Sequence, residues 1–180
     1  MKKVTDEEWQ IILSEKPTND DLLYLITLTD KKDEAWEQLL KQNPTNYDLC
    51  HLIERSDKKD EAWMQLLKQN PTNDDLCRII KGSSEKKEEA AELLLKQNPT
   101  NSDLCIIIEY SPKYIGEAWE RLLKQNPTNQ DLCYIIVNTI KHNEAAQLLL
   151  RQNPTNYALR CIIRYTNSEE AAELLLKQNP

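Results

Sequence analysis

One eight-residue string limits what this chain can fold into. Leu-Leu-Lys-Gln-Asn-Pro-Thr-Asn is complete at residues 39–46, 66–73, 94–101 and 122–129, and only Arg151 departs from it at 149–156. A degraded copy stands at 12–19 and a truncated one at 175–180. The prolines of these copies, Pro17, Pro44, Pro71, Pro99, Pro127, Pro154 and Pro180, are 27, 27, 28, 28, 27 and 26 residues apart. A fixed period of this size marks a stack of small units, each burying its apolar face against its neighbours rather than in one central core.

Within a unit the signals are helical. In residues 45–71, Thr45 precedes Asp48 by three positions, a capping-box pattern that recurs as Thr18/Asp21, Thr72/Asp75, Thr100/Asp103 and Thr128/Asp131. Thr155 has Ala158 at the acid position, so the last copy is weaker, whereas Thr5/Glu8 opens an N-terminal helix in the same way. Leu49, Leu52 and Ile53 stand at i, i+3 and i+4, which predicts a first helix over about 46–55. Ala62, Trp63, Leu66 and Leu67 give a second helix ending near Gln69, because Asn70 precedes Pro71 and a residue before proline is pushed out of the α region. Length changes fall in the loop between the two helices, never in the Asn-Pro-Thr-Asn corner. The expected fold is all-α: a right-handed αα-solenoid of about six helix pairs plus an N-terminal capping helix. Its single repeat domain, 1–180, divides into a helix at 5–16 and repeats at 17–43, 44–70, 71–98, 99–126, 127–153 and 154–180.

The candidate chemistry is sparse. Cys50, Cys77, Cys105 and Cys133 occupy one repeat position, where Leu23 serves equally, and their spacing suits a ladder of buried reduced thiols better than a disulfide or a metal site. Cys161 falls one position later and is expected to be more exposed and more reactive. His51 and His142 are isolated and expected at the surface. With no phosphate loop, nucleophile elbow or paired metal-ligand motif, no enzymatic activity, metal or cofactor is expected. Trp9, Trp36, Trp63 and Trp119 share one second-helix position that Ala91, Ala146 and Ala172 fill elsewhere, with Leu93, Leu148 and Leu174 two residues on. That exchange reads as alternative core packing.

The best functional lead is a stripe that varies while its scaffold does not. Two, six and nine residues after the capping threonine, the first helices carry Asp20, Tyr47, Asp74, Ser102, Gln130 and Tyr157; then Tyr24, His51, Arg78, Ile106, Tyr134 and Cys161; then Thr27, Glu54, Lys81, Glu109, Val137 and Arg164. These offsets share a helix face opposite the core leucines. Tyr24, Tyr47, His51, Arg78, Lys81, Tyr134, Tyr157 and Arg164 are the candidate partner-binding residues.

Tandem helix–turn–helix units with a corner proline resemble the α-solenoid class, which includes HEAT, armadillo and tetratricopeptide repeats. The unit is shorter than theirs and lacks the tetratricopeptide and ankyrin signatures. The resemblance implies a scaffold that binds a protein or peptide. A modular reader of single-stranded nucleic acid is the alternative, opposed by a net charge of −7. A consensus-built repeat without a natural ligand is a third possibility. No apolar run is long enough to span a bilayer, and the N-terminal residues lack the apolar stretch of a signal peptide, so a cytoplasmic location is expected. The final helix carries an internal-type apolar face at 174–176, which predicts that this end either self-associates through that helix or continues into more repeats.

Overall fold

The computed structural model describes residues 2–82 and 85–178. The corner proline Pro180 and the loop residues Ser83 and Ser84 lie outside them. Among the described residues there are thirteen α-helices and no strand. Helix α1 is Asp6–Ser14. The first helices of the repeats are α2 (Asn19–Leu28), α4 (Asn46–Arg55), α6 (Asn73–Lys81), α8 (Asn101–Tyr110), α10 (Asn129–Asn138) and α12 (Asn156–Thr166). The second helices are α3 (Lys32–Lys41), α5 (Lys59–Lys68), α7 (Lys87–Lys96), α9 (Ile115–Lys124), α11 (His142–Leu150) and α13 (Glu169–Gln178). The architecture is an all-α tandem repeat of the solenoid class.

The chain divides into two compact units, Met1–Lys87 and Glu88–Pro180. In the first, α2 packs on α3 and α4 on α5, while α4 also packs on α2 and α6. In the second, the pairs are α8–α9, α10–α11 and α12–α13, and α10 packs on α8 and α12. The leucine four residues after each capping threonine (Leu22, Leu49 and Leu76; Leu104, Leu132 and Leu159) is fully buried. So is the alanine opposite it on the second helix, Ala35 and Ala62 in one unit and Ala118, Ala145 and Ala171 in the other. Alanine at that place lets the paired helices approach closely.

Every residue of the recurrent string has a separate task. Its first leucine is core: Leu39, Leu66, Leu94, Leu122 and Leu149 have no exposed surface. Its lysine is exposed. Its glutamine reaches back one repeat, where Gln42 Nε2 donates to the Pro17 carbonyl at 3.0 Å and Gln69 to Pro44 at 3.1 Å. Gln125 and Gln178 do the same to Pro99 and Pro154. Its proline is buried. Its threonine caps the next helix, with complete capping boxes at Thr5, Thr18, Thr45, Thr72, Thr100 and Thr128; Thr155 caps without an acid. Its final asparagine reaches forward. Asn19 Nδ2 donates to Asp48 at 2.9 Å, Asn46 to Asp75 at 2.8 Å and Asn101 to Asp131 at 3.0 Å.

The residue before each proline corrects the sequence expectation in part. It leaves the right-handed helical region, but it enters the left-handed one rather than extended space. Asn43 and Asn70 have φ of 52°, and Asn98, Asn126 and Asn153 have 56°, 53° and 54°. This is the left-handed helix stop, followed at once by a proline that cannot continue the helix. Asparagine tolerates that conformation better than any other non-glycine residue, which gives its recurrence a backbone reason. Lys16 adopts φ 55° in the degraded copy without that advantage.

Two further expectations are refined. Trp9, Trp36 and Trp63 are buried as core, but Trp119 is only half-buried. In α13, Leu174 and Leu175 are half-buried and Leu176 is 73% exposed, although Leu175 matches the fully buried Leu122 and Leu149 of the same unit.

Candidate partner-binding face

In the first unit the stripe residues Tyr24 and Tyr47 are 54% and 56% exposed. They flank a groove of about 470 Å³ between α2 and α4, lined also by Asp20, Thr27, His51 and Arg55. The helix period sets this arrangement: Tyr47, His51 and Arg55 are four residues apart and share one face of α4. From α6, the exposed Arg78 lays its guanidinium 4.4 Å from the centroid of the Tyr47 ring. Lys81 is exposed at the end of α6.

His51 departs from expectation. It is half-buried rather than a surface side chain, and its Nδ1 is enclosed without a hydrogen-bond partner among the described residues. A buried polar atom left unpaired is costly, and here it borders an open groove. His142 is also half-buried, with Nδ1 3.2 Å from the Thr139 carbonyl oxygen.

In the second unit, the exposed Tyr134 donates its phenol proton to Glu109, and burial together with that acceptor raises its pKa above the usual tyrosine range. Tyr157 is 71% exposed, and Arg164 is exposed on the same helix, its guanidinium 5.7 Å from the Tyr165 ring centroid. The stripe is interrupted at Ile106, which is buried.

The ten-residue offset was missed. It holds Leu28 and Arg55 in the first unit and Tyr165 in the second, all exposed. The signal was available, because positions two, six and ten are successive i+4 steps along one face.

All five cysteines are buried, and none forms a disulfide. Burial pushes the Cys50 and Cys105 thiols up to about 12. Cys133 also rises to about 12, through burial and then the neighbouring Cys161 thiol. The expectation that Cys161 is exposed is corrected, since it is 9% exposed. Its one-residue shift places it against Cys133 and the Tyr157 hydroxyl instead of in solvent. Thiols held protonated are poor nucleophiles and poor metal ligands. Among the described residues no group of three or more histidine, cysteine or acidic side chains is placed to hold a metal ion, and no helix is long and apolar enough to cross a membrane. Compared with known protein families, curated proteins and solved structures, the chain has no match in any of the three.

Proposed function

We propose that the chain is a non-enzymatic binding module that takes up a protein or peptide segment on the variable face of its first helices. The observation that carries this reading is the groove between α2 and α4. It joins two exposed tyrosines to His51 and Arg55, beside Arg78 on the adjoining helix. Tyrosine and arginine concentrate binding energy in protein interfaces because each offers a large flat contact area with polar tips. The exposed guanidinium of Arg55, between the two tyrosines, suits a segment carrying a carboxylate next to an apolar or aromatic side chain. The second helices present mostly exposed glutamate, glutamine and lysine outward, and the groove of about 400 Å³ between α7 and α9 is lined chiefly by charged side chains, Glu92, Lys96, Glu117 and Arg121. Self-association through the exposed Leu176 of α13 belongs to the same reading.

The test is selection of a displayed random-peptide library on the wild-type chain. Counter-screening uses a triple variant, Tyr24→Ala, Tyr47→Ala and Arg78→Ala, with its helix content checked by circular dichroism. Enriched peptides that bind wild type at least tenfold more tightly than the variant support the proposal. No enrichment, or equal binding to both, overturns it. Binding of single-stranded RNA that weakens steeply with salt and needs the same tyrosines moves the assignment to the nucleic-acid reading.

A further inference from the structure

Helix α1 occupies the place of a second helix. Trp9 is buried at the place of Trp36 and Trp63, and Asp6 accepts from Lys31 as Asp33 accepts from Lys58 and Asp60 from Lys86. Elsewhere in this unit, the side of a first helix that faces the preceding repeat is covered by another first helix: α2 covers α4, and α4 covers α6. No helix among the described residues covers α2 there. The capping aspartates record the difference. Asp48 is 6% exposed and takes the Asn19 amide, and Asp75 is half-buried and takes the Asn46 amide. Asp21 is exposed, and its hydrogen bonds go to its own cap, Thr18.

The uncovered side is a groove running the length of α2. One cavity of about 370 Å³ lies at its start, between Lys16, Pro17, Thr18 and Asp21; another of about 360 Å³ lies at its end, between Val4, Ile11 and Thr29. Both share Ile12, Tyr24 and Leu25. Ile12 stands where Leu39 stands in the next repeat, and Leu25 where Leu52 stands; those two are fully buried. The groove therefore continues the repeat-to-repeat interface seen at α2–α4 and α4–α6. The ten residues of α2 make it about 15 Å long.

We infer that this groove docks, in trans, an amphipathic helix with the chemistry of the chain's own first helices. Its occupant carries an asparagine near its N-terminus that donates to Asp21. Apolar side chains at i, i+3 and i+4 then pack on Ile12, Leu25 and the Tyr24 ring. This is the helix-in-groove mode of recognition. It lies on the other side of Tyr24, which lines both this groove and the α2–α4 groove proposed above; Ile11 and Ile12 belong to this one alone, and the inference does not depend on the other.

The experiment uses the full chain and a labelled, end-capped peptide of residues 44–56 that carries Asn46, Leu49, Leu52 and Ile53. Cys50→Leu in the peptide removes the thiol and restores the residue type that α2 has there. Saturable binding by fluorescence anisotropy is expected, with a Kd on the order of 10–500 μM, because so short a helix must fold as it binds. Asn46→Ala in the peptide should weaken binding about 5- to 10-fold, as loss of a hydrogen bond to a carboxylate does. Ile11→Lys and Tyr24→Lys in the chain change residues more than half exposed and should abolish binding without shifting the melting temperature. Tyr47→Ala, confined to the other groove, should leave it unchanged. The inference is overturned by absence of binding at about 5 mM peptide, roughly tenfold above the weakest Kd expected, or by equal binding of a scrambled peptide. It is also overturned by insensitivity to Ile11→Lys, or by sedimentation showing that a second copy of the chain fills the groove.

Discussion

The two compact units share one corner and differ at the opposite edge. In Met1–Lys87, successive second helices are stitched by ion pairs in both directions. Lys31 reaches Asp6, Lys58 reaches Asp33 at 2.5 Å and Lys86 reaches Asp60 at 2.8 Å, while Lys32 and Lys59 reach forward to Asp57 and Glu85 at 2.6 Å. In Glu88–Pro180 the ladder is gone. Gly116 occupies the acid position, and Lys141 has only the pair three residues on, to Glu144 at 2.7 Å, which Lys31 and Lys58 make with Glu34 and Glu61 in addition to their ladder contacts. Other contacts take over: Ser111 donates to Glu88 at 2.5 Å, Tyr114 to Glu92 at 2.9 Å, and Arg121 to the Leu95 carbonyl at 2.5 Å. The comparison teaches that register is held at the corner. The ladder at the loop edge is free to change because its carboxylates are exposed, and exposed ion pairs add little.

The largest test of that contrast concerns the second-helix position held by tryptophan in one unit and mostly by alanine in the other. Trp63 is 4% exposed, so Trp63→Ala should cost about 3–5 kcal/mol by chemical denaturation. Adding Gln65→Leu, which recreates the Ala91/Leu93 pairing, should recover part of the loss. If the double variant is no more stable than the single one, leucine does not replace the aromatic area.

Next in size is the corner. Asp48→Ala removes both a helix cap and the acceptor of the Asn19 amide and should cost about 1–2 kcal/mol. The reverse change, Ala158→Asp in the last repeat, should gain about 0.5–1.5 kcal/mol by completing the box on Thr155 and giving the Asn129 amide an acceptor. A neutral result for Ala158→Asp would mean that the corner geometry of repeat six differs from that of repeat two.

Smaller still is the edge. Nothing lies within 4 Å of a Cβ built on Gly116, which sits within α9. Gly116→Ala should therefore stabilise by about 0.5–1 kcal/mol. Gly116→Asp should in addition pull Lys141 into a ladder contact, visible as a salt-sensitive increment over the alanine variant. The increment should vanish in the Lys141→Met background.

The smallest effect is the pH dependence of the ladder itself. Hydrogen bonds from Lys58, Lys32 and Lys86 hold Asp33, Asp57 and Asp60 below the usual carboxylate range. A group with a depressed folded pKa contributes stability that is present above its unfolded value and lost as pH falls through the folded one. Stability should therefore decline below about pH 4. The decline should be shallower at 1 M salt and in a chain with all three lysines changed to methionine. A slope unchanged by those substitutions would assign the decline to the capping carboxylates instead.

Most of the fold was legible in the sequence because period, cap and helical spacing point the same way. The limits of α4 at Asn46–Arg55 follow from Thr45 and from the polar loop after it. Legibility stopped where a partner is chosen across repeats. Gln42 and Asn19 look like ordinary polar corner residues. Their hydrogen bonds, to Pro17 and Asp48, join positions 25 and 29 residues apart and exist only once the stack forms. The left-handed asparagines were missed because the rule for residues before proline was applied without the residue's own tolerance. At the candidate site, Tyr24, Tyr47 and Arg78 were singled out by periodicity, while Arg55 and the burial of His51 and Cys161 were overlooked. Burial depends on what the neighbouring helix places opposite, and a one-residue register shift, as at Cys161, alters that without changing composition.

The forward-reaching asparagine gives each repeat a donor end and an acceptor end. Its bearer meets the aspartate of the repeat that follows at Asn19–Asp48, Asn46–Asp75 and Asn101–Asp131, so these repeats present matching ends to their neighbours, whereas repeat six has Ala158 in place of the acceptor. Excising residues 45–71, one 27-residue period, would join Pro44 to Thr72 and leave Asn19 facing Asp75 in place of Asp48. The sequence around the join would be unaltered. Gain or loss of whole copies by recombination thus keeps the capped corner intact at the seam, whereas a cut that ends inside the corner breaks a cap. The corner that sets the pitch of the stack also makes its copy number heritable in integer steps.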